Sequence, residues 1–530
     1  MASIFVMNFL QQFGIVNSVI GLVSIFVLNT LFRRAVAALR TPFPGPLLAK
    51  LTSWYLRYHE YNGTREVFIE QCHQTYGDSV IIAPNEISFR DADSLRTIFA
   101  KARLDQPAGS AILQQFGQPN VVSTISASLN QERRKLVSSV YSAPTIVSTE
   151  SQERFKLLVD RFSGQINQEI GSEQESVDVY PLLRYLACDL MSHIVFGSQR
   201  SLDSLSCEED RKRAKFILLP VPDILSSISV LLMSWYPKIM TILFRQSWFP
   251  NAQKGFQNES TGIHQYALAM AKKAIIDPRP TEVAVPYHAA ELARRFNKDG
   301  SSRAIPNPMY IASDCMDHFF AGSLTTADAL SWMSWRMALP ENRERQLRLR
   351  KELWDAGITP GCALNLSVIP KLPYLHHVIR ETLRRDPPIP FSSKRLVKAG
   401  QQVVIDGYAI PAGIIASAQA YSVHRNPKAF PNAEEWNPER WDLPSETTQS
   451  REMGRHFWPF GSGQRMCIGM HIAWAELRLV VARLYSTYDI SLGDDYLGPD
   501  KKILPDGDRQ HLFPYTSQEP LHLKLLTLSV

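Results

Sequence analysis

The chain has 530 residues and a formal net charge of +6, with 45% hydrophobic and 20% charged residues. Such values belong to a globular protein with a large core and exclude a disordered chain. The mild, dispersed positive charge, with no basic run interleaved with aromatics, excludes a nucleic-acid-binding face. The six cysteines (Cys72, Cys188, Cys207, Cys315, Cys362 and Cys467) stand singly without CxxC spacing, which argues against a disulfide framework or a four-cysteine metal site.

The first 32 residues carry no charged side chain, and the first acidic residue is Glu60. Within them lies FGIVNSVIGLVSIFVLNTLF, residues 13–32, a 20-residue run. That length crosses about 30 Å of hydrocarbon as a helix. Arg33, Arg34 and Arg40 follow, and by the positive-inside rule they hold the downstream chain in the cytosol. A cleaved signal peptide is the alternative. Against it stand the length of the run, the basic residues after rather than before it, and the lack of a small-x-small cleavage site. The expected organisation is a lumenal stretch 1–12, a transmembrane anchor 13–32, a basic, proline-rich hinge 33–46 ending in TPFPGP, and a single catalytic domain over 47–530.

Helical periodicity dominates the body, so the fold class is mainly α with small sheets. Thr64 opens a helix that Gly77 closes. SVIIAPNEISF, residues 79–89, predicts a hairpin turning at Pro84-Asn85, and Asp91 caps a short helix after it. The segment 216–244 is apolar but broken by Pro220, Pro222, Asp223, Pro237 and Lys238. It reads either as short helices dipping into a membrane surface and roofing a pocket, or as plain core. The longest helix is expected from the cap Asn307 and Pro308 to Leu339, where Pro340 stops it. A helix of about 30 residues crosses a whole domain, so its middle must be buried. Further on, VVIDGYAI predicts a two-residue hairpin at Asp406-Gly407.

The chemistry concentrates in FWPFGSGQRMCIG, residues 457–469. A phosphate loop needs a Gly-Lys-Ser/Thr ending, but Gly463 is followed by Gln464 and Arg465. Zinc needs three or four ligands, and no local Cys/His spacing supplies them. A haem held by one thiolate remains. It asks for a thin loop, a cation for a propionate and donors that temper the sulfur's charge. Gly461 and Gly463 supply the thinness, Arg465 the cation, and the helix starting near Ile468 the N–H groups. Phe460 can shield the proximal face, and Gly469 permits close approach of the helix.

This loop resembles that of the cytochromes P450, F-x-x-G-x-R-x-C-x-G. It is matched at every fixed position by Phe460, Gly463, Arg465, Cys467 and Gly469. A chance match is expected in on the order of one chain in ten thousand of this length. The family's Glu-x-x-Arg is present as Glu381 and Arg384 in YLHHVIRETLRR, and its Pro-Glu-Arg as PERW, so Arg440 should join Glu381 and Arg384 in a buried structural network. The resemblance covers nearly the whole chain and is greatest to fungal, membrane-bound members that tailor secondary metabolites.

The resemblance implies the cytochrome P450 fold around haem b, with Cys467 as axial iron ligand and with Arg465, Phe460, Gly463, Gly469, Arg134 and Arg395 around the cofactor. Asn130 stands where the family often has a tryptophan on a helix touching the propionates, and is expected to be a weak propionate ligand. In the long helix AGSLTT matches the family's dioxygen motif. Gly322 is expected to open the helix and Thr325 to donate to dioxygen, while Leu324 replaces the usual acid, so that protons are expected through Asp328 and water or through a hydroxyl on the substrate itself. The implied pocket runs along 106–123, Phe319, Phe320, Ser323, Leu324, the loop 389–394 with Phe391, and Phe513.

The activity implied is oxidation of a lipophilic small molecule with dioxygen at the endoplasmic reticulum membrane. NADPH and flavins act through a separate NADPH-cytochrome P450 reductase, with cytochrome b5 as a second donor. Two alternatives stay open: a haem-thiolate isomerase, dehydratase or coupling enzyme, which Leu324 favours, and a haem carrier or sensor.

Overall fold

The computed structural model describes residues 21, 29, 42–171, 176–218, 231, 232, 235, 236, 262–277, 287–494 and 521–529. The anchor 13–32 apart from Gly21 and Asn29, residues 1–12 and 33–41, most of 216–244, and Phe513 lie outside the described residues. Among the described residues no helix is long and apolar enough to cross a membrane.

The principal helices are α1 (Trp54–Tyr61), α2 (Arg65–Tyr76), α3 (Ala127–Val137), α4 (Thr149–Ile170), α5 (Val179–Phe196), α6 (Gly262–Ile276), α7 (His288–Asp299), α8 (Pro308–Ala338), α9 (Arg343–Asp355), α10 (Pro373–Arg385) and, after the cysteine loop, α11 (Met470–Thr487). Their ends follow local chemistry. Thr64 precedes α2, and Gly77 ends it with φ 103°. The Asn307 side chain accepts from Tyr310 N at the start of α8, and Leu339 turns extended before Pro340. Ser126 caps α3 by accepting from Leu129 N.

Strands β1 (Ser79–Ala83) and β2 (Glu86–Phe89) form the expected antiparallel hairpin. Strand β3 is Val177–Asp178, and β4 is Ser392–Leu396. β5 (Val403–Ile405) and β6 (Tyr408–Ile410) pair through Asp406 (φ 51°) and Gly407 (φ 77°), the left-handed pair a two-residue turn needs. β7 (Ile415–Gln419) pairs parallel with β2 and antiparallel with β4, giving a four-stranded sheet ordered β1-β2-β7-β4. β8 (Tyr488–Leu492) and β9 (His522–Thr527) complete a three-stranded sheet ordered β3-β9-β8.

The largest core is helical and gathers α4, α5, α8, α10 and α11. Three contacts fix how α5 lies on α8. Phe196 meets Phe319 at 6.3 Å, Met191 lies against Gly322, and Arg184 pairs with Asp328. Falling numbers on one helix meet rising numbers on the other, so the two run antiparallel. A β-carbon on Gly322 would stand 2.3 Å from Met191 Sδ, so this glycine allows the helices their close approach. The helical hydrogen bonding of α8 continues through Gly322 without a break.

Candidate active site

The cysteine loop leaves the core at Phe457 and returns as α11. Its backbone folds on itself: Cys467 N donates to Phe460 O (2.8 Å), Met466 N to Gly463 O (3.1 Å) and Gly461 N to Trp458 O (3.2 Å). Gly463 has φ 69°, and a β-carbon there would lie 2.0 Å from the carbonyl oxygen of Phe99. Only glycine lets the loop rest on that backbone. Burial pushes the Cys467 thiol up, while the Gly469 N–H bonded to its sulfur and the Arg134 guanidinium pull the other way. Both groups that oppose burial favour a thiolate.

Three guanidiniums surround this loop. Arg134, on α3, donates from Nη2 to Met466 O at 2.8 Å. Arg465 donates to Gln106 Oε1 (3.2 Å), Thr124 O (2.7 Å) and Ile125 O (2.8 Å), and its buried Nε has no partner. Arg395, on β4, donates to Lys394 O at 2.8 Å and lies over the Phe99 ring at 4.8 Å. Among the described residues none of the three has a carboxylate within ion-pairing distance. Burial, and then Arg465, bring Arg395 down to about 9. Burial brings Arg465 down to about 10, with Arg134 adding to the fall and Asp105 opposing it. Cations that depress one another in this way call for anions between them. A haem's two propionates meet that demand, and Cys467 supplies one thiolate, so the donor set fits haem.

The loop is braced from behind. Glu381 and Arg384 are both 0% exposed and joined by two bonds, 2.7 and 3.0 Å. Glu381 also accepts from Arg440 Nε (3.0 Å), Trp441 Nε1 (3.0 Å) and Asn437 N (2.9 Å). Arg384 spends its remaining donors on the carbonyls of His424, Ala433 and Glu435. The predicted trio is thus brought together.

His424 was not singled out by the sequence. It is fully buried and held well below the usual histidine range by burial and by Arg384, hence neutral. Its Nε2 accepts from Trp458 N at 2.9 Å, so the proton sits on Nδ1, which donates to Arg384 O at 2.9 Å. One ring therefore ties α10 to the cysteine loop. A histidine inside YSVHRNP carries no local signal for partners 40 and 34 residues away.

On the other wall, α8 is buried from Tyr310 to Trp335 except at Asp317, Phe320, Ala321, Gly322, Leu324 and Thr325. Gly322 meets α5; the spacing of the others, three and four residues, makes one stripe on the helix. Ala321 is exposed although it lies midway along a helix buried on either side, so the stripe faces an internal cavity. Thr325 Oγ1 donates to Ala321 O at 2.7 Å. Phe320 and Leu324 lie on the stripe, as expected of pocket residues, and Phe391 is half-buried.

Three expectations are corrected. Phe319 is 0% exposed and packs against Phe196, and Ser323 is 0% exposed; both belong to the core beside α5, not to the pocket wall. Asp328 is no free proton donor. It is 3% exposed, and its Oδ1 takes Arg184 Nη2 at 2.6 Å. Burial still lifts it to about 6 against the pull of Arg184. Asn130 is buried and donates to Val121 O at 2.7 Å, bracing the loop before α3.

A family model described as Cytochrome P450 matches residues 44–506. The chain is similar to the fusicoccadiene 8-ol C-16 hydroxylase of Alternaria brassicicola, with 28% identity over 85% of this chain and 87% of that one. It is 26% identical to the N-acetyltryptophan 6-hydroxylase ivoC of Emericella nidulans over 88% of this chain and 90% of that one. The cytochrome P450 monooxygenase FGM1 of Gibberella zeae is 24% identical, over 84% and 85% of the two chains.

Proposed function

Because the chain belongs to the cytochrome P450 family and is a haem-thiolate monooxygenase, we propose that it hydroxylates a lipophilic small molecule in a fungal secondary-metabolite pathway. Electrons come from NADPH through a separate reductase, and the catalytic domain lies on the cytosolic side of the endoplasmic reticulum membrane. The observation that carries this reading is the convergence of Cys467, three cations without carboxylate partners among the described residues, and a half-exposed stripe on the central helix. The similarity to fungal hydroxylases supports the pathway class.

Bound haem supplies activation of dioxygen and insertion of one oxygen atom into the substrate. The protein does the rest. Cys467 offers sulfur held in place by its own N–H on Phe460 and by the Gly469 N–H. Arg134, Arg395 and Arg465 would hold and orient the propionates, and Phe460 covers the loop. Phe320, Ala321 and Leu324 give an apolar wall that excludes water beside the reacting carbon. Thr325 holds its hydroxyl at the mouth of that wall, where it can exchange its bond to Ala321 O for one to an incoming oxygen.

Reconstitution with a reductase, NADPH and labelled dioxygen tests the reading: one labelled oxygen should appear in the product of a metabolite that accumulates when the gene is deleted. A product without label would instead support the isomerase, dehydratase or coupling reading, which the apolar Leu324 on the cavity wall favours. For topology, Asn62 and Asn365 both lie in exposed glycosylation sequons. They should carry no glycan if the domain is cytosolic, and a glycan on either would mean that the orientation is inverted or that the N-terminal segment is a cleaved signal.

A further inference from the structure

Ahead of AGSLTT, α8 carries Asp314 and His318 at i and i+4, a spacing that sets both side chains on one face of the helix. A third side chain joins them from the start of α7. His288 Nε2 lies 3.1 Å from Asp314 Oδ2, and the His318 Nδ1 lies 4.0 Å from the same oxygen. The two imidazole rings are 4.3 Å apart. One ligating atom from each of the three residues falls within 4.8 Å of the other two. All three residues are buried, Asp314 and His288 completely.

Two needs of this cluster go unmet. Asp314 sits in the interior, and among the described residues no lysine or arginine pairs with it. Against burial, which raises it, the bond to His288 and the neighbouring His318 hold it below the usual carboxylate range, so it is ionised. His318 is neutral, because burial and then His288 bring it down to about 4. Its Nδ1 lies 2.9 Å from the carbonyl oxygen of Asp314; a carbonyl only accepts, so that nitrogen carries the proton. The lone pair is left on Nε2, which has no partner among the described residues although the side chain is 5% exposed. A buried charge without a full counter-charge and a buried acceptor without a donor both call for a cation. The outer contacts suit one. Val121 N fixes the Asp314 carboxylate through Oδ1 at 2.7 Å, the Tyr141 hydroxyl stands 3.0 Å from His288 Nδ1, and the carbonyl of Asp314 sets the His318 tautomer.

We propose that His288, Asp314 and His318 form a structural site for a divalent transition-metal ion, zinc foremost, that pins the start of α7 to α8. Two imidazoles and one carboxylate suit such an ion, whereas calcium and magnesium want oxygen alone. Ligands about 2.0–2.1 Å from zinc stand about 3.4 Å apart in a tetrahedron, a water taking the fourth place. The 3.1 Å between His288 Nε2 and Asp314 Oδ2 is already close to that. His318 has to move in by on the order of an ångström. As the ion takes the place of the hydrogen between His288 Nε2 and Asp314, the His288 proton passes to Nδ1, where the Tyr141 oxygen accepts it. No proton is lost. A cluster so enclosed takes up its ion as the chain folds.

The test uses the full-length holoenzyme, expressed with added zinc and then passed over a chelating resin. Elemental analysis should find about one zinc per chain besides the haem iron. X-ray absorption at the zinc edge should show two imidazoles, oxygen and no sulfur, at about 2.0–2.1 Å. Asp314→Asn, His288→Gln and His318→Phe should each lower the zinc content at least about tenfold. His377→Gln, which removes a different histidine–carboxylate pair (3.0 Å to Asp442), should leave it unchanged. Wild type with less than about a tenth of a zinc per chain overturns the proposal and leaves a protonated His288 as the counter-charge of Asp314. Zinc that survives all three substitutions, or a zinc shell that holds sulfur or lacks imidazole, overturns it equally. The zinc-edge spectrum needs no variant, so it decides even where a substitution stops the chain from folding.

Discussion

Replacing Glu381 by glutamine keeps the shape of the side chain and removes its charge. In the structure that carboxylate accepts five hydrogen bonds, two from Arg384 and one each from Arg440, Trp441 and the backbone of Asn437. Glutamine's amide nitrogen cannot accept, so one side of this cage would set donor against donor. The guanidinium of Arg384, 0% exposed, would lose the one counter-charge that pairs with it among the described residues. Breaking a buried pair from one side costs about 3–5 kcal/mol. That is on the order of a 10²- to 10⁴-fold shift toward a state in which the loop has let go. Because Arg384 also bonds the carbonyl of His424, and His424 holds Trp458, the loss should be felt at Cys467. The assay is the carbon monoxide spectrum of the reduced enzyme through a urea titration, following loss of the thiolate-ligated band. Glu381→Gln should lose that band at much lower urea than wild type, or be isolated without haem. A variant whose midpoint matches wild type, a loss below about 1 kcal/mol, would refute the view that this network supports the loop.

Other substitutions probe separate parts of the account. His424→Phe keeps a ring beside Phe457 but leaves Trp458 N and Arg384 O unpaired; it should cost about 2–4 kcal/mol and speed loss of the thiolate band, measured by urea titration. Gly322→Ala should destabilise by about 1–3 kcal/mol through its clash with Met191, and Met191→Ala in the same chain should recover part of that in thermal melts. Glu476 on α11 is buried with both carboxyl oxygens unpartnered, and burial lifts it from 4.5 to about 8. An acid whose folded value is raised keeps its proton in the folded state while the unfolded chain loses it, so stability falls as pH rises from about 4.5 to about 8. Glu476→Gln should therefore flatten that fall and raise stability near neutral pH by about 1–3 kcal/mol, seen as a higher melting temperature there but not at acid pH.

Much of the frame was legible because its signals are local. Asn307, Pro308 and Pro340 bound the central helix, Asp406-Gly407 turns a hairpin, and the spacing around Cys467 marks a thin loop that meets a helix. The rotational setting of α8 was harder to read. A helix buried nearly all round has no polar face to reveal which residues meet the cavity, so Phe319 and Ser323 looked as eligible as Phe320 and Leu324.

Asp328 shows a related limit. It shares an azimuth with Asp317 but stands eleven residues on, about 16 Å along the axis. There the neighbour is no longer the cavity but Arg184 of α5. Partners brought together by the fold, such as Arg184 with Asp328 or His424 with Trp458, leave no mark in either local stretch. Periodicity reports direction around a helix, not what waits at each height.

The central claim is that Cys467 is the thiolate that holds haem in this loop. The most direct measurement is the carbon monoxide spectrum of the reduced, full-length protein beside that of Cys467→Ser. Wild type should absorb at the thiolate-ligated position and bind haem stoichiometrically, while Cys467→Ser should lose that band together with monooxygenase activity. An unchanged thiolate band in Cys467→Ser would contradict the account.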